Sequence, residues 1–152
     1  MNIEATNPIL FEEAFNLMCG ERLGFGISRT VYECSLMPGY VVKVEHESGM
    51  FQNVMEMLIW RSVVGTKASR WFAECKYISE NGRVLIQERT RQPSTTELLG
   101  KIPAWFTDVK LDNWGMARSK ENGKEFLVCH DYGYNLTIQK GTETTRMKNA
   151  EW

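Results

Sequence analysis

Apolar residues along this chain change their spacing in an ordered way. After Asn7-Pro8, residues Ile9, Leu10, Ala14, Phe15, Leu17 and Met18 recur at helical spacing up to Gly20. The pattern predicts a short helix with Asn7 as its cap, Pro8 in the first position and Gly20 at its end. Glu21–Gly26 and Thr30–Leu36 then read as strands separated by a Gly-x-Gly turn, Pro38-Gly39 as a turn, and Tyr40–Glu45 as a third strand. Ser48–Val64 is helical, with Phe51, Val54, Met55, Leu58 and Ile59 on one face. Trp71–Ile78 and Arg83–Glu88 read as strands joined by Glu80-Asn81-Gly82, a hairpin signal. Gln92-Pro93-Ser94 breaks the pattern and is the best candidate hinge, and Thr95–Trp105 contains a short helical piece. Trp114–Ser119 and Lys124–His130 form a predicted hairpin turned by Glu121-Asn122-Gly123. The tail after Gly133 is rich in Thr, Lys and Glu, poor in large apolar residues, and expected to be partly disordered. The expected fold class is α+β.

Composition narrows the class. The 152 residues are a single-domain length, 43% hydrophobic and 24% charged, as in an ordinary soluble globular protein. A net charge of -1 argues against nonspecific nucleic-acid binding, which needs a basic surface. No apolar run approaches the roughly 18 residues of a membrane span, so no membrane partner is expected. Glu4, Glu12 and Glu13, with no basic cluster, do not make a secretory signal, and the expected location is cytoplasmic. Cys19, Cys34, Cys75 and Cys129 form no Cys-x-x-Cys pair, so buried thiols are expected rather than zinc or disulfides.

Four short signals carry candidate chemistry: Gly24-Phe25-Gly26, Val41-Val42-Lys43, Asp108-Val109-Lys110-Leu111-Asp112-Asn113 and Asp131-Tyr132-Gly133. Glu56 lies in a helical stretch between the second and third. Glycines let backbone amides approach phosphate oxygens closely; a hairpin that needs two glycines is the alternative. A lysine in an apolar strand commonly snorkels to the surface. If Lys43 is held inside instead, its charge needs a partner, and Glu56 is the candidate, with Glu47 as rival and a solvated helix face as the alternative for Glu56. Asp108 and Asn113 lie five residues apart with Lys110 two after the aspartate, and Asp131 follows the strand-like run Phe126-Leu127-Val128-Cys129. Polar turns are the alternative for both segments. His46 lies in an acidic stretch and is expected to be exposed; His130 adjoins Asp131 and is a candidate to orient it, with packing as the alternative. The five tryptophans do not cluster with basic residues and are expected to be core or surface anchors.

In this order, the signals resemble those of the protein kinase family over roughly residues 20 to 133. The resemblance implies a five-stranded antiparallel N-lobe sheet with one main helix (residues 1–90) and a minimal C-lobe (residues 91–152), in a single domain. It implies that Asp108, Lys110, Lys43 and Glu56 are catalytic. It places ATP on Gly24, Gly26, Arg29, Val31, Val41, Lys43, Gln87 and Glu88, beneath an apolar ceiling of Leu23, Val31 and Val41. Gln87-Glu88-Arg89-Thr90 would link the lobes and hold adenine by its backbone, and Asn113 and Asp131 would hold magnesium. Lys110 leans toward the protein-kinase type, since small-molecule phosphotransferases of similar fold tend to have histidine there.

The departures are specific. Arg29 replaces the third glycine, where it could instead pair with phosphate. Phe106-Thr107 replaces His-Arg, which implies no control by activation-loop phosphorylation, while Phe106 can still pack. Tyr132 replaces phenylalanine. Residues 89–107 are too few for the usual helices, and residues 134–152 contain no Ala-Pro-Glu. The chain looks like the miniature kinase-like proteins that some bacteriophages carry. Two functions follow: an ATP- and magnesium-dependent phosphotransferase resembling a serine/threonine protein kinase, or a catalytically inactive kinase-like module that binds or inhibits a host protein. A chance assembly of motifs on an unrelated α+β fold is the third reading. Expected partners are a nucleotide and a protein, and exposed apolar surface on a truncated lobe would favour a homodimer.

Overall fold

The computed structural model describes residues 8–47, 49–135, 141–142 and 146–152. Helix α1 (Pro8–Met18) passes without a loop into strand β1 (Cys19–Phe25). Gly20 therefore lies inside a strand rather than at a helix end, and the proposed Asn7 cap falls outside the described residues. Strands β2 (Arg29–Cys34) and β3 (Tyr40–Glu45) follow, then helix α2 (Gln52–Val63), then β4 (Cys75–Ile78) and β5 (Val84–Glu88). The five strands form one antiparallel sheet in the order β1-β2-β3-β5-β4.

Period-two alternation gives this sheet two different faces. Val31 pairs with Lys43 and Glu33 with Val41, while Val41 and Lys43 pair with Gln87 and Leu85 across β3 and β5. The neighbouring set, Val42 and Ile86, packs with Cys19 and Cys34 beneath Phe15 and Met18 of α1. Helix α1 covers that face, and α2 packs on the other side, against β3, β4 and β5.

Helix α2 starts at Gln52, after Phe51 in a left-handed conformation (φ 60°); the earlier start expected at Ser48 falls outside the described residues. Its inward face also differs from the expected one. Gln52, Asn53, Glu56, Met57, Ile59 and Val63 are buried, while Phe51 and Leu58 are 63% and 45% exposed. Apolar periodicity picked Phe51, Val54, Met55, Leu58 and Ile59; of these only Ile59 is fully buried. The polar residues can go inside because β3 meets them with partners: Glu45 Oε1 accepts from the Asn53 N–H at 2.8 Å, and the Asn53 amide donates to the Lys43 carbonyl at 3.2 Å.

Residues 67–71 form a 3₁₀ turn, so β4 begins at Cys75 rather than Trp71. Beyond β5 the chain makes two short antiparallel pairs: β6 (Lys101–Pro103) with β9 (Met147–Asn149), and β7 (Trp114–Arg118) with β8 (Glu125–Cys129). The helical piece expected within 95–105 shrinks to one 3₁₀ turn, Thr95–Glu97, closed by a Ser94–Glu97 capping box. Residues 101–103 are strand because β9 supplies them with a partner, and a proline at 103 lacks the N–H that a helix interior requires. That same pairing docks part of the tail expected to be disordered. At its end the Trp152 ring meets Trp114 edge-on, 5.4 Å between centroids, and its Nε1 donates to the Leu99 carbonyl.

The main core runs through both halves. Phe72 contacts Phe106 (5.1 Å) and Tyr132 (5.0 Å), and Phe106 contacts Trp114 (4.8 Å). Ile59, Leu85 and Ile102 complete it. Phe106 packs as the sequence predicts. All four cysteines are buried free thiols. Among the described residues, no helix is long and apolar enough to cross a membrane.

Candidate active site

Lys43 is buried, not snorkelling, because its strand position points it at α2. Its Nζ donates to Glu56 Oε2 at 3.1 Å and to the His130 carbonyl. Glu56 has no solvent exposure. Its Oε1 accepts from Arg29 Nη2 at 2.8 Å and from the Tyr132 N–H at 3.2 Å; its Oε2 also accepts from the Gln87 amide at 3.3 Å. Burial alone would push the Glu56 carboxyl up, but the charges and hydrogen bonds of Arg29 and Lys43 outweigh it and hold the group at about 2. Glu47, the rival partner, is exposed.

Arg29 follows a tight turn in which the Gly26 N–H donates to the Arg29 carbonyl at 2.8 Å. His46 steadies this turn: its N–H donates to the Ser28 carbonyl, its Nε2 lies 2.9 Å from Thr30 Oγ1, and its ring stacks on Phe25. The Arg29 side chain turns inward. Nη1 donates to Asn53 Oδ1 at 3.0 Å, and Nη2 donates to Asp131 Oδ1 at 2.9 Å as well as to Glu56.

The Asp131-Tyr132-Gly133 segment is clamped from both ends. Tyr132 is buried, its hydroxyl donating to the Ala73 carbonyl at 2.9 Å. At Gly133 a Cβ would lie 3.0 Å from the Gln52 carbonyl oxygen, so glycine permits α2 to approach. Burial and the nearby Glu56 carboxylate push Asp131 up, against the pull of Lys43 and Arg29. The side chain remains 42% exposed.

Asn113, at the end of a 3₁₀ turn (Leu111–Asn113), joins this segment to the Asp108 loop. Its carbonyl accepts from the His130 N–H at 2.8 Å and the Asp131 N–H at 3.3 Å. Its amide donates to the Asp108 carbonyl at 3.1 Å and to Asp108 Oδ2 at 3.2 Å. Lys110 is 74% exposed, with Nζ 3.7 Å from Asp108 Oδ1. Asn135 holds the loop from beneath: its Oδ1 accepts from the Thr107 and Asp108 N–H groups at 2.7 and 3.0 Å.

A cleft of about 540 Å³ opens beside Lys43, a size suited to a small ligand. Leu23, Gly24, Val31, Val41, Gln87, Glu88, Arg89, Thr90, Asp112 and His130 line the rest of it. The predicted ceiling and linker residues therefore share one cavity, while Gly26 and Arg29 do not line it. His130 ties its floor to its edge. Its Nε2 must donate to the Asp112 carbonyl (2.8 Å), which leaves Nδ1 to accept from the Thr90 hydroxyl (2.7 Å). Burial first, then the Lys43 charge, pull His130 down to about 4. Gly115 makes this bridge possible, since a Cβ there would lie 2.3 Å from Thr90 Oγ1.

Asn53 and Asn135 are the contributors that sequence reasoning missed, and Thr90, expected in the linker through its backbone, contributes its side chain as well. Neither asparagine carries a motif signal; each of the three acts by filling a backbone or side-chain valence that only the fold creates.

Among the described residues, no three His, Cys, Asp or Glu side chains converge on a metal position. Asn113 and Asp131, an amide and a carboxylate, are joined through their backbones by the Asp131 N–H to Asn113 carbonyl bond. Two hard oxygen donors suit magnesium, which keeps its remaining positions for water and phosphate. The donor chemistry fits the ion. No protein-family model matches the chain, and no curated protein matches its sequence.

Proposed function

We propose that the chain is an ATP- and magnesium-dependent phosphotransferase with a protein-kinase-like fold and a much reduced C-terminal lobe. The observation that carries this is the buried Lys43–Glu56 pair at 3.1 Å, set at the wall of a cleft whose floor leads to Asn113 and Asp131. A buried charge pair is a poor source of stability compared with an apolar core. Its cost is understandable if the lysine must be presented to a phosphate at a fixed place.

ATP would lie with its base between the Leu23–Val31–Val41 ceiling and the Glu88–Thr90 edge, and its phosphates toward Lys43. Magnesium, held by Asn113 and Asp131, would supply charge neutralisation on the phosphate oxygens. Asp108 orients the acceptor hydroxyl and takes its proton as the new oxygen–phosphorus bond forms and the bond to the ADP oxygen breaks. Asn113 fixes the Asp108 carboxylate by its amide. Lys110, exposed beside Asp108, is free to follow the transferred group.

Thermal unfolding with and without ATP at fixed magnesium tests binding. Ligand at about a hundred times its dissociation constant adds roughly 2.7 kcal/mol, which for this length raises the midpoint by several degrees. Transfer of the γ-phosphoryl to an acceptor protein should vanish in Asp108→Asn while the ATP-induced shift survives. Equal transfer by that variant would sink the assignment of Asp108.

The second reading is a kinase-shaped module that binds a protein and does not catalyse. Arg29 on Asp131, together with the absence of a helical substrate lobe among the described residues, favours it. It predicts no shift at millimolar ATP and full biological activity in Asp108→Asn.

A further inference from the structure

Arg29 closes the glycine turn, yet its side chain does not line the cleft and lies only 6% exposed. Its three acceptors are unequal. Asn53 and Glu56 are fully buried on α2, whereas the Asp131 side chain is 42% exposed. Lys43 holds the opposite oxygen of Glu56. Lys43 and Arg29 thus pair with Glu56 and Asp131, and the buried Glu45 carboxylate adds its attraction for Arg29, so both cations are satisfied by protein groups alone.

A divalent ion on Asp131 would bring two more positive charges beside the Arg29 guanidinium. Like charges at such separations repel by several kcal/mol even at an effective dielectric of about 20. Something must yield, and the bond with least to lose is the one to the part-exposed carboxylate. Giving up the Glu56 or Asn53 bond would leave a buried group short of a partner.

We propose that Arg29 and a divalent cation compete for Asp131, so that this arginine sets the metal affinity of the site, and metal loading frees Arg29 from Asp131 while leaving it on Asn53 and Glu56. The inference rests on the reading of Asn113 and Asp131 as metal donors. It also gives the glycine turn a connection to the metal. Gly26 bonds to the Arg29 backbone, so the turn is tied to Asp131 when the ion is away and untied from it when the ion is bound.

Manganese binding to the full chain, without nucleotide, tests this through water-proton relaxation. Arg29→Met should bind the ion about tenfold or more tighter than the unaltered chain, within the roughly 5–150-fold range usual for coupled sites. Asp131→Asn should lose that binding in either background. Unchanged or weaker affinity in folded Arg29→Met overturns the proposal. Should Arg29→Met fail to fold, the unaltered chain provides the answer. On magnesium titration, the ¹⁵N guanidinium signal of Arg29 should shift saturably in step with the Asp131 amide, and an Arg29 signal that does not move overturns the proposal equally. Tighter manganese binding with no ATP-induced thermal shift would leave this inference standing and remove the nucleotide reading. An ATP shift with unaltered manganese affinity would do the reverse.

Discussion

The two oxygens of Glu56 show how much a single side chain can organise. Arg29 and the Tyr132 N–H take one; Lys43 and Gln87 take the other. His130 works in the same neighbourhood as a neutral bridge, and its acid titration is predictable. Its folded value is lowered to about 4 from 6.5, so the unfolded chain takes up the proton first as pH falls. Stability is then full above about 6.5 and declines toward pH 4, by roughly 2–3 kcal/mol in all. Glu56 acts in a lower window: its folded value of about 2 against 4.5 gives stability present above pH 4.5 and lost toward pH 2. Urea unfolding of His130→Gln across pH 4–7 should show a flatter slope than the unaltered chain, and an identical slope would remove His130 as the cause. The Lys43–Glu56 pairing itself was legible in the sequence, because a lysine inside an apolar strand needs an acid on the facing helix. The Thr90–His130–Asp112 bridge was not, because it depends on Gly115 of β7 leaving room for Thr90, beyond the end of β5, to reach His130.

At the level of elements, helix α2 is where the apolar pattern misleads. The chain order of strands and helix could be read from turns and alternation, but the helix buries Gln52, Asn53 and Glu56 and leaves Phe51 and Leu58 outside. Periodicity ranks residues by hydrophobicity, and it cannot see that β3 offers Lys43, Glu45 and a carbonyl to the polar side. A buried ion-pair cluster inverted the usual rule at this element. The exposed Phe51 also holds a left-handed backbone at the helix start without a side-chain cap bond. That conformation costs a non-glycine residue about 1–2 kcal/mol, and asparagine tolerates it and caps well. Phe51→Asn should therefore stabilise the chain by about 1 kcal/mol, seen as a rise of roughly 2–4 °C in the unfolding midpoint. A fall in midpoint would mean that the Phe51 ring, which lines a groove with Leu58 and Ile78, contributes more packing than its exposure suggests.

For the whole molecule, the question is how so few residues after β5 hold together. No helix of three or more turns appears there among the described residues, and the short pairs β6–β9 and β7–β8 bury little by themselves. What they share is the aromatic core, in which Phe106, Trp114 and Tyr132 interlock with Phe72 from the first half. Lys120, at the β7–β8 turn, reaches back to Glu74 at 2.8 Å and to the Tyr40 hydroxyl. The end of the chain closes this arrangement. Strand β9 gives β6 its only strand partner among the described residues, and Trp152 covers Trp114. Composition marked this tail as polar and suggested partial disorder; its described end, residues 146–152, packs through β9 and Trp152. Burying much of one indole is worth roughly 2–3 kcal/mol by area. Trp152→Ala should lower stability by about that amount, and removal of residues 146–152 by more, since β6 then loses its pairing. Equilibrium unfolding followed by tryptophan emission reads both. If Trp152→Ala unfolds at the same denaturant midpoint as the unaltered chain, the tail is a passive cover, and the core from Phe72 to Trp114 must hold the second half without it.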